Sequence, residues 1–307
     1  MEDRTSEIAL FHKAQAQSLK KEHLRQKFWV GVMWLFSLIT VLILILVVGY
    51  VLVQGGRSIS WEFLITPPKG GLSGEGGIST TIATTFYLVG LTLLVATPLG
   101  VGAAVFLIEY AGEQSLGSKF LRSVINVANF AVETLAGIPS IIFGLFGYAL
   151  FVSTLKFGFS LLSAALAGAC LVLPTIIRTT EEALLAVPDD YRRGSLALGA
   201  TKWQTLYKVV LPASLPGIIT GIILSVGRVI SETAIFYVTL GGSHRMPTSV
   251  MDGGRTLALH LYYLAMDTRA FDKAMATGAV LVVMIIMINL LIDLVSRKLT
   301  AGVRKVR

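Results

Sequence analysis

The 307-residue chain contains a single cysteine, Cys170. That excludes an internal disulfide and any metal cluster built on thiolates, and its place in an apolar run gives it a packing role. Charge is also scarce. Asp, Glu, Lys and Arg make up 14% of the residues, against about 25% in soluble domains, so the chain reads as an all-α integral membrane protein. None of the four histidines has a partner at metal-ligand spacing, and no metal is expected. No catalytic residue is assigned, because Ser231 beside Glu232 has no histidine within reach on its own segment. The Gly-x-x-x-x-Gly-Lys-[Ser/Thr] phosphate loop is missing too, so the chain cannot cradle a nucleotide in that way. There is no internal repeat.

What is present is apolar length. Six runs are long enough to cross a hydrocarbon core of about 30 Å, which takes roughly 20 helical residues: Phe28–Val53, Ile78–Ile108, Ser123–Leu155, Phe157–Ile177, Ala213–Gly242 and Ala274–Ile292. Four carry no charge; the third carries Glu133 and the fifth carries Arg228 and Glu232. Without water to satisfy backbone groups such runs must be helices, and they are too long for barrel strands. The first is not a signal peptide, since its apolar run is too long and a charged stretch of 27 residues precedes it.

The net charge of +8 is explained by loop bias rather than by nucleic acid. With the N-terminus inside, 18 of the 26 Lys and Arg fall on inner segments and seven on outer ones. The positive-inside rule then puts both termini, and the polar insert between segments four and five, in the cytoplasm. The chain divides into a leader, 1–27, an outer helix, 28–53, a core with helices two to six, 78–299, and a basic tail, 300–307. Segments one and six lack proline, whereas two to five contain Pro98, Pro139, Pro174 and Pro216 and are rich in Gly, Ser and Thr. Small residues permit close helix approach, so segments two to five are expected to form a packed core inside a belt of one and six. The leader stretch "IALFHKAQAQSLKKEHLRQK" has a thin apolar stripe and is either a solvated arm or a surface helix.

The insert "VPDDYRRGSLALGATKWQTLYKVVLPAS" is a polar elbow, 188–212. Asp189 and Asp190 follow Pro188 as a helix-start signal. Gly199 breaks the first helix, and Leu206, Val209 and Val210 resume at roughly helical spacing. Such an amphipathic elbow suits docking into a groove on a soluble partner. Its residues Arg193-Gly194-Ser195, then Gly199, then Val209-x-Leu211-Pro212 resemble the EAA loop of binding-protein-dependent ABC importer permeases. That pattern runs Glu-Ala-Ala, three residues, Gly, nine residues, Ile-x-Leu-Pro. The spacing fits without a gap, while Arg193 stands where the family carries Glu and Gly194 where it carries Ala.

Further stretches are similar to the PstA family of phosphate-importer permeases: Ile177-Arg178-Thr179-Thr180-Glu181-Glu182, Leu135 to Ser140, Gly227-Arg228-x-x-Ser231-Glu232-Thr233-Ala234, and Leu257 to Tyr262. The resemblance covers roughly 78–299. It implies a type I importer of MetI-like fold in a prokaryotic inner membrane. A sister PstC-like permease would share the path, two PstB-like ATPases with ATP and magnesium would sit below, and a PstS-like binding protein would deliver inorganic phosphate. The coupling residues would be Arg193, Gly194, Ser195, Leu196, Leu198, Gly199, Leu211 and Pro212. The alternatives are the PstC subunit itself or a permease for another oxyanion.

An ionisable residue in a membrane helix is functional by default. Arg228, near mid-bilayer, and Glu232 are four apart and so share a helix face. They are either an ion pair that fixes packing, or a guanidinium that contacts the phosphate oxyanion with Glu232 holding it when the path is empty. Arg178 is a second cation toward the inner exit or an interfacial arginine with its head in water. Glu133 is a partner for Arg228 or a packing residue.

Overall fold

The computed structural model describes residues 2–69, 74–110, 119–268 and 270–304, with side chains described for 22, 23, 25–69, 74–110, 123–268 and 270–294. Among the described residues the regular structure is helical, apart from two isolated backbone bridges, Pro68–Gly76 and Gly241–Gly254. The chain forms two units, Met1–Val53 and Gln54–Arg307.

The first unit is nearly all of α1 (Glu2–Gly56), one unbroken helix of 55 residues. Leader and first segment are therefore continuous in backbone, with no proline to interrupt them. The side chains on which the leader's apolar stripe would rest lie outside the described residues. Along the apolar part, large side chains such as Trp34, Leu38 and Leu44 are exposed, as suits a helix whose solvent is lipid.

The second unit contains the core. The short α2 (Trp61–Ile65) and its following turn cap α3 (Ser79–Val105), since Ile78 N donates to Phe63 O at 2.8 Å and Ser79 N to Thr66 O at 3.1 Å. A wider π-type turn, Phe106–Tyr110, extends α3. The helix packs along α6 (Leu161–Leu185) through small residues: a Cβ on Gly100 would lie 2.7 Å from the Ile176 Cγ2 atom. The next helix, α9 (Leu211–Ser231), also lies against α6, with Gly221 on Thr179 and Gly217 on Ala183. The expected close approach of the Gly-rich segments is present, because glycine lets backbones come near enough for dispersion contacts to hold helices together in lipid. Phe236, Leu88, Val172 and Ile235 fill the centre of this packing.

Prolines act differently from place to place. Pro98, Pro174 and Pro216 are accommodated inside α3, α6 and α9. Pro139 instead marks a break. The third segment, expected as one helix over 123–155, is α4 (Lys119–Gly137) and α5 (Ser140–Gly147), bent by 110°, with a second π-type turn over Tyr148–Thr154. Gly137 and Pro139 together remove the helical preference and a backbone donor at the corner. Five helices are long and apolar enough to cross a membrane, and the bent pair makes a sixth if it counts as one span.

The fifth segment is also divided. It ends as a helix at Ser231, Glu232 is extended at ψ 131, and α10 (Ala234–Thr239) follows. The loop after α10 folds back on α6, where Leu161 N and Leu162 N donate to Asp252 O and Val250 O, both at 2.9 Å. Those bonds satisfy amides that a helix start leaves open. The short α11 (Leu257–Met266) and the long α12 (Phe271–Arg304) complete the chain. On α12, Ala276, Ala279 and Met284 are buried while Val283, Met287, Leu290 and Leu294 are exposed, so the sixth segment lies at the rim of its own unit.

Candidate functional site: the elbow and the charged groups on the spans

The elbow consists of two short helices, as the sequence implies. Pro188, at ψ 138, starts α7 (Asp189–Ala197). Gly199, at φ +85, ends it in the left-handed region, and a Cβ placed there would meet nothing within 4 Å. Glycine is needed for the backbone angle and not for room. Thr201 and Gln204 form a reciprocal capping box that starts α8 (Lys202–Thr205), with Gln204 N donating to Thr201 Oγ1 at 3.2 Å and Thr201 N to Gln204 Oε1 at 2.9 Å. A third π-type turn, Leu206–Val210, leads into α9, whose first turn holds Leu211 and Pro212, both half-buried. The Ser195 and Thr205 hydroxyls, 2.9 Å apart, tie the two arms together.

Arg192 roots the elbow. Its Nε and Nη2 donate to Glu109 Oε1 at 3.1 and 2.7 Å, its Nη2 to Leu184 O and its Nη1 to Val187 O, each at 2.8 Å. Both side chains of the pair are largely shielded from solvent, and charge-assisted bonds of this kind are among the stronger ones. Neither residue is singled out by the sequence, since they lie 83 positions apart. Arg193, in the position that the EAA pattern gives to Glu, is exposed and has no polar partner among the described residues. Gly194 is exposed with open space around it. The elbow exposes large apolar side chains among its charged ones: Leu198 is 91% exposed, and Leu196, Trp203 and Tyr207 are exposed too. A cleft of about 760 Å³ separates the elbow from the end of α3, lined by Ile108, Glu109, Arg192, Leu196, Lys202 and Leu206. The ammonium of Lys202 lies 5.1 Å from the Tyr110 ring centroid there.

The charged residues on the spans are partnered differently from the expectation. Arg228 and Glu232 do not form an ion pair. Arg228 is exposed on α9, while Glu232 is buried past its end and its Oε1 accepts from Ala234 N at 3.1 Å and Ile235 N at 3.4 Å. The reason is the helix break at Glu232: the i, i+4 relation holds only while the helix continues, and the carboxylate is used to start α10. Glu133 pairs with Arg178 and not with Arg228, at 2.8 Å, and Arg178 also reaches Glu181 at 3.0 Å. That trio links α4 to α6 and carries a net negative charge. Arg228 has no polar side-chain partner among the described residues. It stands in an exposed stripe on α9 with Thr220, Leu224 and Ser231, positions three or four apart and so on one face.

With the elbow and these charges placed, residues 115–305 match the family described as binding-protein-dependent transport system inner membrane component. The chain belongs to that family. This inner-membrane component is 33% identical over 296 residues to the probable ABC transporter permease protein YqgI of Bacillus subtilis, covering 90% of this chain and 98% of that one. It is 36% identical over 219 residues to the phosphate transport system permease protein PstA 1 of Mycobacterium tuberculosis, covering 70% and 69%. Among solved structures, a chain of a bacterial alginate ABC transporter superposes with a TM-score of 0.66 over 91% of this chain and 97% of that one, at 16% identity. At that identity the likeness establishes the fold alone, that of MetI-like permeases. The family membership makes the chain a multi-pass membrane component of a transport system.

Proposed function

We propose that the chain is the PstA-type permease subunit of an ATP-driven phosphate importer in a prokaryotic plasma membrane. In this reading it forms half of the translocation path with a sister permease, receives phosphate from a binding protein, and is driven through the elbow by ATPase subunits that carry ATP and magnesium. The single observation that carries this reading is the elbow: a capped and arginine-rooted pair of helices whose exposed Leu196, Leu198, Trp203 and Tyr207 suit a partner groove. Exposed apolar side chains at the tip of a polar insert are costly in water and are relieved by docking. The relatives named as phosphate permeases support the choice of substrate. So does Arg228, an uncompensated guanidinium on the exposed face of α9, whose planar donors suit an oxyanion.

Gly199, Leu196 and Leu198 would lie at the ATPase contact, with Arg193, Gly194 and Ser195 behind it and Leu211 and Pro212 joining the elbow to α9. Glu232 shapes the path by setting where α9 ends, and Arg178 meets the anion only when Glu133 withdraws with α4. The test is reconstitution of the complex purified through this subunit. Phosphate uptake that depends on ATP and on binding protein, and that falls to background in Arg228→Gln with ATP hydrolysis retained, is the expected result. Uptake of a different oxyanion instead, or wild-type phosphate uptake in Arg228→Gln, would defeat the reading.

A further inference from the structure

On the side of the second unit away from the elbow, a guanidinium is held without a carboxylate. Arg255 Nε donates to Gly242 O at 2.9 Å, its Nη1 lies 3.4 Å from His260 Nδ1, and its central carbon sits 4.2 Å from the centroid of the Tyr263 ring. Every one of these partners is neutral in charge. His260 is buried, and burial together with the nearby Arg255 and Lys273 charges pushes its pKa down to about 4, so it stays neutral and offers Nδ1 as an acceptor. Asp267 lies beyond ion-pair distance, and among the described residues no acid pairs with Arg255.

The holding is tight on one side and open on the other. Gly242, at φ +71, turns its carbonyl toward Arg255, and a Cβ there would lie 2.8 Å from the Tyr263 hydroxyl. One face of the guanidinium is covered by Tyr263. Two of its five N–H groups are used by Gly242 and His260, which leaves the remaining donors of a half-buried side chain. Tyr237 is tilted against Tyr263 and Tyr262 meets it edge-on, with centroids 6.0 and 6.2 Å away, and both are exposed. A half-buried cation whose nearest acid, Asp267, stays beyond ion-pair distance is costly to keep, and that cost is offset when an anion arrives. A strut could be made from neutral groups. A fixed fork with spare donors, next to a cluster of tyrosines, matches a tetrahedral oxyanion.

We propose that Arg255, with the hydroxyls of Tyr237 and Tyr262, forms a binding station for a tetrahedral oxyanion at the mouth of the permease away from the elbow. This rests on the reading of the chain as an oxyanion permease. Tyr237 lies on α10, the element that directly follows the Arg228 helix α9. The station would therefore pass the anion to the α9 stripe, with Arg228 as the next cation along.

The probe is a cysteine next to the station. Ser243→Cys, in a Cys170→Ala background, is titrated with a sulfonated maleimide on the detergent-solubilised complex, in inorganic phosphate, sulfate or chloride at equal ionic strength. Phosphate at twice its dissociation constant should slow labelling about threefold relative to chloride, by simple occupancy. The slowing should vanish in Arg255→Gln and persist in part in Arg255→Lys, with assembly checked by gel filtration. Equal rates in all three anions with Arg255 present would end the proposal, and so would slowing that survives Arg255→Gln. The two readings fail separately. Slowing by sulfate but not phosphate keeps the station and removes phosphate as the substrate. Phosphate uptake by a complex whose labelling no anion affects keeps the phosphate reading and removes the station.

Discussion

Arg192 Nη2 lies 2.7 Å from Glu109 Oε1, and the same guanidinium bonds the carbonyls of Leu184 and Val187. One side chain thus joins the end of α3, the end of α6 and the first turn of the elbow. These three elements are tied directly to one another by short bonds between groups that are largely shielded from solvent.

Arg192→Ala should therefore cost about 2–3 kcal/mol, the scale for losing bonds to a charged group and leaving its partner unsatisfied. Thermal denaturation of the solubilised protein would measure it. Arg192→Lys keeps the charge but cannot span three acceptors with one fork, so it should recover less than half. A wild-type transition temperature in Arg192→Ala would show that the elbow is rooted by something else.

At Gly199 the backbone angle is the constraint. Gly199→Val should destabilise the elbow by about 1–2 kcal/mol, the cost of a left-handed conformation for an L residue, and should uncouple ATP hydrolysis from transport. Gly199→Asn should behave nearly as wild type, since asparagine adopts that region and nothing lies within 4 Å to obstruct it. Equal damage from both substitutions would point to a crowded interface in the assembled transporter instead.

Arg228 and Glu232 should act independently. Glu232→Ala removes the acceptor that starts α10 and should cost about 1 kcal/mol. Arg228→Gln should change stability little, because it breaks no bond among the described residues. In a double-mutant cycle read by denaturation the coupling should stay below about 0.5 kcal/mol. A larger coupling would re-establish the ion pair. Transport, by contrast, should fall with Arg228→Gln alone.

His260 gives the protein a pH-dependent stability. Burial, with the nearby Arg255 and Lys273 charges, pushes its pKa from the ordinary 6.5 down to about 4 in the folded chain. The unfolded chain binds the proton first, so stability from this group is complete above about pH 6.5 and is lost as pH falls toward 4, by up to about 3 kcal/mol. Thermal scans between pH 7 and pH 4 should show that loss, and His260→Gln should reduce it. An unchanged slope in the variant would assign the acid sensitivity to other groups.

Much of the architecture is written locally. A run such as Ile78–Ile108 has one physical solution in lipid, because its backbone must bond to itself. The elbow is legible for the same reason: Pro188, Gly199, the Thr201–Gln204 box and Pro212 act on their own neighbours. Gly199 could be picked out by spacing, although its left-handed φ supplies the reason. Even the break at Pro139 is marked in the chain, while its 110° bend depends on how α5 meets α6 and α10.

Side-chain partners are another matter. Arg192 and Glu109, Arg178 and Glu133, and Arg255 with Gly242 and His260 are paired by the rotation and depth of packed helices or by the return of a loop, and none of these is encoded within a turn of the residue concerned. Glu232 is the clearest case. Its separation from Arg228 is the spacing of an ion pair on a continuous helix, yet the helix stops one residue short of it. A carboxylate at a helix end gains two backbone donors that a mid-helix position lacks. The tertiary structure ends α9 at Ser231, and that end puts the acid at the start of α10 and leaves the arginine exposed.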